Sequence, residues 1–507
     1  MPYPRCALAI ILILILHTAS YAQQPGVALD KNDPQLLAVL AEIETDAENV
    51  RLKAKIPGMS IVIVHDQDVL LAKGFGYADL EKKIPADPQT VYRTGSVTKA
   101  FTALMLMQLR DAGKLHLDDP IEKYLPEFKI KSRFPDARPA TFRQVAAHYS
   151  GLPREPPMLH EYQATDGFPS VEDQLKSLKD TEMMVPAMTM YSYSNLGYNI
   201  MGLALSRVAK QPYDQYVATQ ILEPLGMNHS GFALTEQMKR HFAVGYKPAG
   251  PDGTHERSSY PKHGLASGML YSNVDDLANF LSLFFREGPR GGKQVLGSSS
   301  LLEMLIPVAV STDLSRDEKG RPTSLWLEGS TIGFSVGPFN GEQIDYKDGG
   351  TAGFSSIVYI NYPRKLGMAV LTNTQIEPFW LGYNLLRKLT PVLQKSLERS
   401  QAKALEEALP KWQKYTGRYV ITDPNAIPMI SFSEFDVRIV NQKLVITIPE
   451  VRPGSIVWMK EVPLEPFGNN DFKIAGGSVG NKFITFESGN DGIMVLKWRN
   501  YVFRRQP

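Results

Sequence analysis

Residues 93–102 of the chain read Arg93-Thr94-Gly95-Ser96-Val97-Thr98-Lys99-Ala100-Phe101-Thr102. Residues 96–112 predict a single helix, and Gly113 stands where a glycine commonly ends one. Between residues 100 and 107 only Thr102 is polar, so we expect this helix to be buried on every side. We therefore take it as the helix around which the rest of the chain is organised.

Ser96 and Lys99 share one face of this helix, because Cβ atoms three residues apart are about 5–6 Å from each other. Ser96 also lies at the helix N-terminus, where backbone N–H groups are unpaired and negative charge is stabilised. A hydroxyl, an amine to take its proton and free donors for an oxyanion make a nucleophilic site. Ser-x-x-Lys recurs at Ser259, where Pro261 prevents a helical turn, and at Ser400, on a charged segment that we expect to be exposed.

Length and composition bound the class of protein. The chain has 507 residues, enough for a large core and for more than one domain. Its net charge of +2, without a long basic run, gives no support for nucleic-acid binding. The nine histidines are scattered without metal-ligand spacing, so we expect no metal and no other cofactor.

The first 22 residues have the pattern of a secretory signal peptide. Arg5 precedes an apolar run over residues 7–16, and Ser20 and Ala22 are the small residues expected at positions −3 and −1 of a cleavage site. The run is short for a membrane span, although an uncleaved anchor is the alternative. Cys6 is the only cysteine, so the mature chain would contain no disulfide. We expect cleavage after about Ala22, a periplasmic or secreted bacterial protein, and no stable membrane span after cleavage.

The rest of the chain divides into two parts that differ in predicted secondary structure. A helix is predicted from residue 33 to 54, then strands at 59–64 and 69–76, then a mainly helical stretch from 115 to 290. Later strands are predicted at 331–337, 343–347, 354–360 and 368–372, before a helical segment at 375–409. Tight turns such as Asn340-Gly341 predict hairpins and hence an antiparallel sheet. After a predicted boundary near Leu409-Pro410, regular short alternating strands predict a small antiparallel barrel or sandwich.

Two later motifs supply candidate partners for Ser96. Tyr193 and Asn195 form a Tyr-x-Asn pair, in which a tyrosine near cations can act as a general base and the amide can orient a substrate or a lysine. Lys347, followed by Asp348-Gly349-Gly350, stands at the end of a predicted strand. Lys347 would bring positive charge there, and the glycines would leave a backbone N–H donor accessible. Each spacing recurs elsewhere in the chain, so neither motif is specific alone.

In this order, Ser-x-x-Lys at 96–99, Tyr-Ser-Asn at 193–195 and Lys-x-Gly at 347–349 resemble the signature elements of the serine β-lactamase and penicillin-binding-protein superfamily. The chain looks closest to class C β-lactamases and their relatives, the D,D-carboxypeptidases, D-aminopeptidases and family VIII-type esterases. The resemblance covers roughly residues 30–395, and the part that follows is similar to lipocalin-like domains appended to some of these hydrolases.

The resemblance implies an α/β fold of the α+β type with β-lactamase/transpeptidase-like architecture. An antiparallel sheet flanked by helices, with a helical subdomain, would be followed by a small antiparallel β-barrel. The domains expected are a signal peptide at 1–22, a β-lactamase-like serine hydrolase domain at 23–409 and a lipocalin-like barrel at 410–507.

The resemblance also implies roles around the nucleophile. Ser96 would be acylated, and Lys99 would be its activating amine. Tyr193 would carry the proton to the leaving group and activate the deacylating water. Whether Lys99 or Tyr193 is the principal base stays open, and a base role for Lys99 needs burial to lower its pKa from about 10.4.

Further roles implied by the resemblance concern the substrate. Asn195 would orient it, and Lys347 would maintain the charge balance of the site. The backbone N–H groups of Ser96 and Gly350 would form the oxyanion hole, with Gly349 and Asp348 beside the substrate. Asp348 departs from the family pattern, in which threonine or serine is common at this place.

We therefore expect an exported serine hydrolase that forms a covalent acyl-enzyme with amide or ester bonds of a small molecule or short peptide. A true β-lactamase or D,D-carboxypeptidase is an alternative, and a non-catalytic ligand- or peptidoglycan-binding protein is an alternative of another class. The Gly-x-Ser-x-Gly run at 333–337 matches an α/β-hydrolase elbow, but a turn towards another strand follows it where a helix is needed. The oligomeric state stays open.

Overall fold

The computed structural model describes residues 28–135, 137–163, 167–286, 293–316, 322–377, 379–422, 433–447, 461–466, 470–474, 483–489, 491–498 and 501–507. The predicted signal peptide and its cleavage site lie outside these residues. The chain divides into two compact units, Ala38–Thr390 and Pro391–Pro507, the second including described residues up to Leu37.

The first unit contains a nine-stranded antiparallel sheet among its described residues, in the order β3-β2-β1-β11-β10-β9-β8-β7-β6. Every residue of β1, β10 and β11 is buried, as expected for apolar central strands covered on both faces. β4 pairs with β5 in a separate two-stranded sheet. The strands are β1 (Gly58–His65), β2 (Asp68–Asp79), β3 (Ile84–Pro85), β4 (Tyr92–Arg93), β5 (Tyr271–Ser272), β6 (Ala309–Arg316), β7 (Pro322–Ser330), β8 (Ser335–Phe339), β9 (Glu342–Thr351), β10 (Phe354–Asn361) and β11 (Leu366–Thr372).

Most of the α-helices lie between β2 and β6, and one precedes β1 and one follows β11, as the sequence predicts. They are α1 (Pro34–Lys53), α2 (Thr98–Asp111), α3 (Phe142–Ala146), α4 (Leu159–Gln163), α5 (Val171–Ser177), α6 (Asn195–Ala209), α7 (Tyr213–Val217), α8 (Glu223–Leu225), α9 (Glu236–His241), α10 (Leu265–Gly268), α11 (Val274–Leu283), α12 (Ser298–Met304) and α13 (Phe379–Trp412). None of the helices in the described ranges has the long apolar run that crosses a bilayer.

Helix α2 is buried as predicted, but its first turn differs from the prediction. A 3-10 turn at Gly95–Val97 carries Ser96, and regular α-helix begins at Thr98. Phe101 stacks on Phe280 of α11 with ring centroids 4.6 Å apart. Gly113 has φ +67, the left-handed conformation expected after the end of a helix.

The predicted strand at 331–337 is wrong over its first four residues. The N–H of Thr331 donates to the carbonyl of Phe334 over 3.0 Å, and Gly333 has φ +92, so these residues form a tight turn and β8 begins at Ser335. β8 then forms a hairpin with β9 across Asn340-Gly341, both with positive φ. Ser335 therefore lacks the strand–turn–helix context of an α/β-hydrolase nucleophile. The edge hairpin β6–β7 was not predicted.

The second unit contains a closed antiparallel barrel of eight described strands, which confirms the predicted barrel. β19 pairs back onto β12, and side chains that include Tyr419, Phe435, Phe486 and Phe503 form a hydrophobic core. The strands are β12 (Gly417–Ile421), β13 (Glu434–Val440), β14 (Lys443–Thr447), β15 (Glu461–Pro466), β16 (Asp471–Ile474), β17 (Phe483–Ser488), β18 (Met494–Trp498) and β19 (Tyr501–Arg505).

Helix α13 continues beyond the predicted boundary at Leu409-Pro410 and contains Pro410. The division between the two compact units falls inside this helix, after Thr390. Ser400, expected to be exposed, is buried and donates a hydrogen bond to the carbonyl of Ser396. A domain boundary at residue 410 stays a prediction.

Candidate active site

A close backbone crossing places the start of α2 against the end of β9. Gly95 has φ +51, and a Cβ on it would lie 2.8 Å from the backbone nitrogen of Gly350. A Cβ on Gly349 would lie 2.1 Å from the Thr94 carbonyl oxygen and 2.8 Å from the Ser96 nitrogen. Glycine is required at both positions, because real Cβ atoms do not approach backbone so closely. The crossing brings the backbone N–H groups of Ser96 and Gly350 onto neighbouring segments.

The side chain of Lys99 reaches the hydroxyl of Ser96. Lys99 Nζ lies 3.1 Å from Ser96 Oγ and donates to Asn195 Oδ1 and to the Ser267 carbonyl, each over 2.7 Å. Lys99 is fully buried, and this burial lowers the pKa of its amine, although the nearby Tyr193 acts in the opposite direction. A buried amine with a lowered pKa beside a serine hydroxyl is equipped to accept its proton.

Tyr193 approaches Ser96 from the other side. Its hydroxyl donates to Ser96 Oγ over 2.6 Å. Lys99 Nζ and Lys347 Nζ lie 4.9 and 5.2 Å from the centroid of its ring. Burial alone would raise the pKa of Tyr193, but the positive charges of Lys347 and Lys99 outweigh it and lower this pKa to about 8. The phenol is therefore also suited to proton transfer near neutral pH.

The N-cap of α6 holds Tyr193 and Asn195 in place. Ser194, between them, is the N-cap residue, and its Oγ accepts a hydrogen bond from the Gly197 N–H over 2.8 Å. The N–H of Ser194 donates to Nδ1 of His148, whose ring stacks on Tyr193 with centroids 4.2 Å apart. Burial, reinforced by nearby cations, lowers the pKa of His148 well below its usual value, so its ring is a neutral acceptor.

Lys347 and Asp348 form an ion pair at the edge of the site. Lys347 is buried on β9, whereas the side chain of Asp348 is 56% exposed, and their charged atoms are 3.6 Å apart. Burial opposes the charge of Lys347, but Tyr193 and Asp348 outweigh it and raise the pKa of Lys347, which keeps this amine protonated. The carboxylate of Asp348 thus lies beside the cation that faces Tyr193.

Two groups of this site were not predicted. Glu155 Oε1 accepts a hydrogen bond from Asn195 Nδ2 over 2.5 Å, and the carbonyl of Ser267 binds Lys99. Neither belongs to a motif with a recognisable spacing, so no local sequence signal indicates them. Within the described ranges, no group of three or more His, Cys, Asp or Glu side chains is placed to hold a metal ion.

The sheet and the buried Ser-x-x-Lys helix define the β-lactamase/transpeptidase class of fold, in which Ser96, Lys99, Tyr193, Asn195 and Lys347 lie together. The chain belongs to the beta-lactamase family, since the sequence profile described as Beta-lactamase matches residues 24–389.

Sequence relatives come from bacteria and from a eukaryote. The chain is 28% identical over 336 residues to Protein flp of Staphylococcus aureus (strain COL), and the aligned region covers 66% of this chain and 63% of that protein. It is 29% identical over 363 residues to Beta-lactamase-like protein 2 of Dictyostelium discoideum, and that aligned region covers 71% of this chain and 63% of that protein. The match therefore spans less than two thirds of the length of these curated relatives.

Two solved structures are similar to the fold. The octameric penicillin-binding protein homologue from Pyrococcus abyssi has a TM-score of 0.59 at 26% identity, over 92% of this chain and 100% of that chain. The beta-lactamase/D-alanine carboxypeptidase from Yersinia pestis complexed with citrate has a TM-score of 0.56 over 70% of this chain and 99% of that chain. The second likeness, at 22% identity, concerns the fold alone.

Proposed function

We propose that this protein is an exported serine hydrolase that cleaves amide or ester bonds through a covalent acyl-enzyme on Ser96. The observation that carries this proposal is the environment of Ser96 Oγ, which has Lys99 Nζ at 3.1 Å and the Tyr193 hydroxyl at 2.6 Å. Export is supported by the signal-peptide pattern of residues 1–22.

The acylation step follows from this arrangement. Ser96 Oγ attacks the carbonyl carbon of the substrate, and its proton passes to Lys99 or Tyr193. The negative charge that develops on the carbonyl oxygen is received by the N–H groups of Ser96 and Gly350. As the bond to the leaving group breaks, Tyr193 returns a proton to that group, and the acyl group remains on Ser96.

Deacylation uses the same residues in reverse. A water molecule attacks the acyl carbon and gives its proton to Tyr193, whose lowered pKa makes this transfer accessible. The protonated Lys347 stabilises the negative phenolate, and the acid product leaves as Ser96 regains its proton. Oδ1 of Asn195 accepts a hydrogen bond from Lys99 Nζ and so holds this amine beside Ser96.

The position of Asp348 favours substrates without a carboxylate beside Lys347. Its carboxylate already pairs with Lys347 at 3.6 Å, so a substrate carboxylate would meet both a like charge and an occupied cation. We propose uncharged esters and amides, or amine-bearing peptides, as the substrate class. A β-lactamase or D,D-carboxypeptidase activity is accordingly expected to be slow.

We also propose that residues 410–507 form a separate domain outside the catalytic centre, because all the residues given catalytic roles lie within Ala38–Thr390. The barrel provides little support for a binding protein that holds a ligand inside it. Phe435 contacts Phe503 with ring centroids 4.8 Å apart, and Tyr415 stacks on Phe486 at 4.5 Å. A folded chain truncated at Pro410 is expected to keep labelling at Ser96, and a loss of labelling would contradict the separation.

Labelling with a fluorophosphonate tests the proposed function. The intact protein is expected to carry the label on Ser96, and Ser96→Ala is expected to lose both labelling and turnover while keeping its melting temperature. Ser335→Ala is the matched control, because Ser335 stands in the alternative motif, and it should label normally. Turnover by folded Ser96→Ala would contradict the mechanism, and an unlabelled intact protein would indicate a non-catalytic member of the family.

A further inference from the structure

The carboxylate of Glu155 has no role in the chemistry proposed above, yet it is hydrogen-bonded into the site. Its Oε1 accepts from Asn195 Nδ2 over 2.5 Å, and Oδ1 of the same amide accepts from Lys99 Nζ over 2.7 Å. Lys99 Nζ in turn lies 3.1 Å from Ser96 Oγ. A continuous chain of hydrogen bonds therefore leads from Glu155 to the candidate nucleophile.

Backbone contacts fix Glu155 beside the start of α6. The carbonyl of the preceding residue, Arg154, accepts the N–H groups of Asn195 and Leu196 over 2.8 and 3.2 Å. The N-terminus of a helix also stabilises a nearby carboxylate. The side chain of Glu155 is 32% exposed, so it is partly buried beside Asn195.

Glu155 determines which way the Asn195 amide faces when Lys99 is neutral. An ionised carboxylate only accepts hydrogen bonds, a neutral lysine amine can donate or accept one, and an asparagine amide has one end of each kind. Both bonds form only when Nδ2 faces Glu155 and Oδ1 faces Lys99. Without the carboxylate, the two ends of the amide lose this distinction.

The orientation of the amide sets the direction of the electron pair on Lys99. A neutral amine has two N–H donors and one electron pair. Oδ1 of Asn195 and the backbone carbonyl oxygen of Ser267, each 2.7 Å from Nζ, accept the two N–H donors. The electron pair of Nζ is then left to face Ser96 Oγ. A reversed amide would present Nδ2 to Lys99 and draw the electron pair away from Ser96.

We infer that Glu155 is a positioning residue, which holds the Asn195 amide so that the electron pair of neutral Lys99 points at Ser96 Oγ. This role rests on the proposed acyl-enzyme function. It assigns Glu155 to the acylation step, although its carboxylate does not touch the nucleophile.

The charge of Glu155 gives the role a second signature. The carboxylate favours the protonated form of Lys99, so its removal should lower the pKa of Lys99 further. The acidic limb of kcat/KM, which reports deprotonation of the base, should then move to lower pH. The other titratable or charged groups near this pair are Tyr193, Tyr198, Lys347, His148, His263 and Arg154.

The test compares Glu155→Ala and Glu155→Gln in the full chain, with a short-chain p-nitrophenyl ester as substrate. Single-turnover acylation, KM and the pH profile are measured beside the melting temperature. Glu155→Ala should lower the acylation rate by up to about 100-fold with little change in KM, the size expected for a displaced catalytic group. Glu155→Gln retains an acceptor for Nδ2, so it should keep most of the rate while its acidic limb moves to lower pH. Glu161→Gln removes an exposed carboxylate of the same segment and is the control. It should change neither the acylation rate nor the acidic limb of the pH profile.

An unchanged acylation rate in folded Glu155→Ala would overturn the inference, and so would an acidic limb of Glu155→Gln that does not move. Equal losses in the two variants would exclude orientation by an acceptor. If Glu155→Ala does not fold, the rate and pH profile of Glu155→Gln decide the question. Ser96→Ala, measured in parallel, separates the two proposals: its turnover would contradict the acyl-enzyme, whereas an inactive Ser96→Ala beside a fully active Glu155→Ala contradicts only the role of Glu155.

Discussion

The hydroxyl of Tyr193 donates a hydrogen bond to Ser96 Oγ over 2.6 Å, although 97 positions separate the two residues. Ser96 lies in the 3-10 turn before α2, and Tyr193 lies just before the N-cap of α6. Two helix N-termini therefore meet at one hydroxyl, with Lys99 between them. The positive ends of two helix dipoles therefore lie close to the hydroxyl that is the candidate nucleophile.

The first prediction concerns proton transfer by Tyr193. Tyr193 is proposed to activate the deacylating water, and its pKa is lowered to about 8, so its phenolate fraction and hence the deacylation rate should rise as pH increases through about 8. Tyr193→Phe should lower kcat by about 100- to 10,000-fold, the range for losing a general base, and should abolish this rise. The measurement is the single-turnover deacylation rate, together with kcat, on an uncharged ester across the pH range.

Tyr191→Phe is the control for this variant. Tyr191 lies two residues earlier in the same loop, and burial raises its pKa to about 12. Its variant should keep the rate and the rise near pH 8. If Tyr193→Phe also keeps both, the ionisation belongs to another group.

The second prediction concerns the charge of Asp348. Two like charges about 4 Å apart repel by about 4 kcal/mol at an effective dielectric of 20. Because the Asp348 side chain is 56% exposed, solvent screening should reduce the effect of its removal to about 10- to 100-fold in affinity. Asp348→Thr should therefore lower KM for a cephalosporin and for a D-Ala-D-Ala peptide.

Neutral and cationic substrates provide the internal control for Asp348→Thr. A short-chain p-nitrophenyl ester should be turned over equally by both proteins, and an amine-bearing D-amino-acid amide should lose affinity in the variant. Fast turnover of the cephalosporin or the D-Ala-D-Ala peptide by the unmutated protein, or no gain in the variant, would contradict the proposed substrate class.

The third prediction concerns the glycine at the backbone crossing. A Cβ on Gly349 would lie 2.1 Å from the Thr94 carbonyl oxygen, so Gly349→Ala must push β9 away from the start of α2. Acylation should fall by about 100-fold or more, as expected when an oxyanion-hole donor is displaced. Gly337→Ala on β8 is the control, since its Cβ would meet Tyr346 at an ordinary 3.7 Å. Equal labelling rates in the two variants would show that the crossing does not shape the site.

The fourth prediction concerns stability through Asp345. Burial raises the pKa of Asp345 well above its usual value, and among the described residues its carboxyl accepts only weak hydrogen bonds from Gln343, over 3.3 and 3.5 Å. Above about pH 4 the unfolded chain ionises while the folded state keeps the proton, so folding loses stability as pH rises. At acidic pH, Asp345→Asn should have nearly the same free energy of unfolding as the unmutated protein. At neutral pH, its free energy of unfolding should be higher by about 1–3 kcal/mol.

Thermal unfolding across a pH series checks this prediction. Asp180→Asn, whose side chain is 72% exposed, is the control and should show no growing difference. A difference for Asp345→Asn that stays constant with pH would mean that Asp345 is ionised in the folded protein.

Much of the fold was predictable because it rests on local patterns. The apolar run of α2, the hairpin turn at Asn340-Gly341 and the short alternating strands of the barrel each depend on residues close together in the chain. The turn at 331–334 was missed because its apolar residues have the pattern of a strand. The positive φ of Gly333, which is incompatible with a strand, is not visible in that pattern. The hairpin β6–β7 was also missed, because polar residues interrupt the apolar pattern along β6.

The candidate nucleophile is predictable from local sequence, since Ser96 and Lys99 are one helical turn apart and any helix there brings them together. The groups that surround them come from distant parts of the chain and depend on tertiary packing. Lys99 binds the carbonyl of Ser267, 168 positions away, and Asn195 binds Glu155, 40 positions away. Such contacts depend on how helices and strands pack, and no spacing within a single element encodes them.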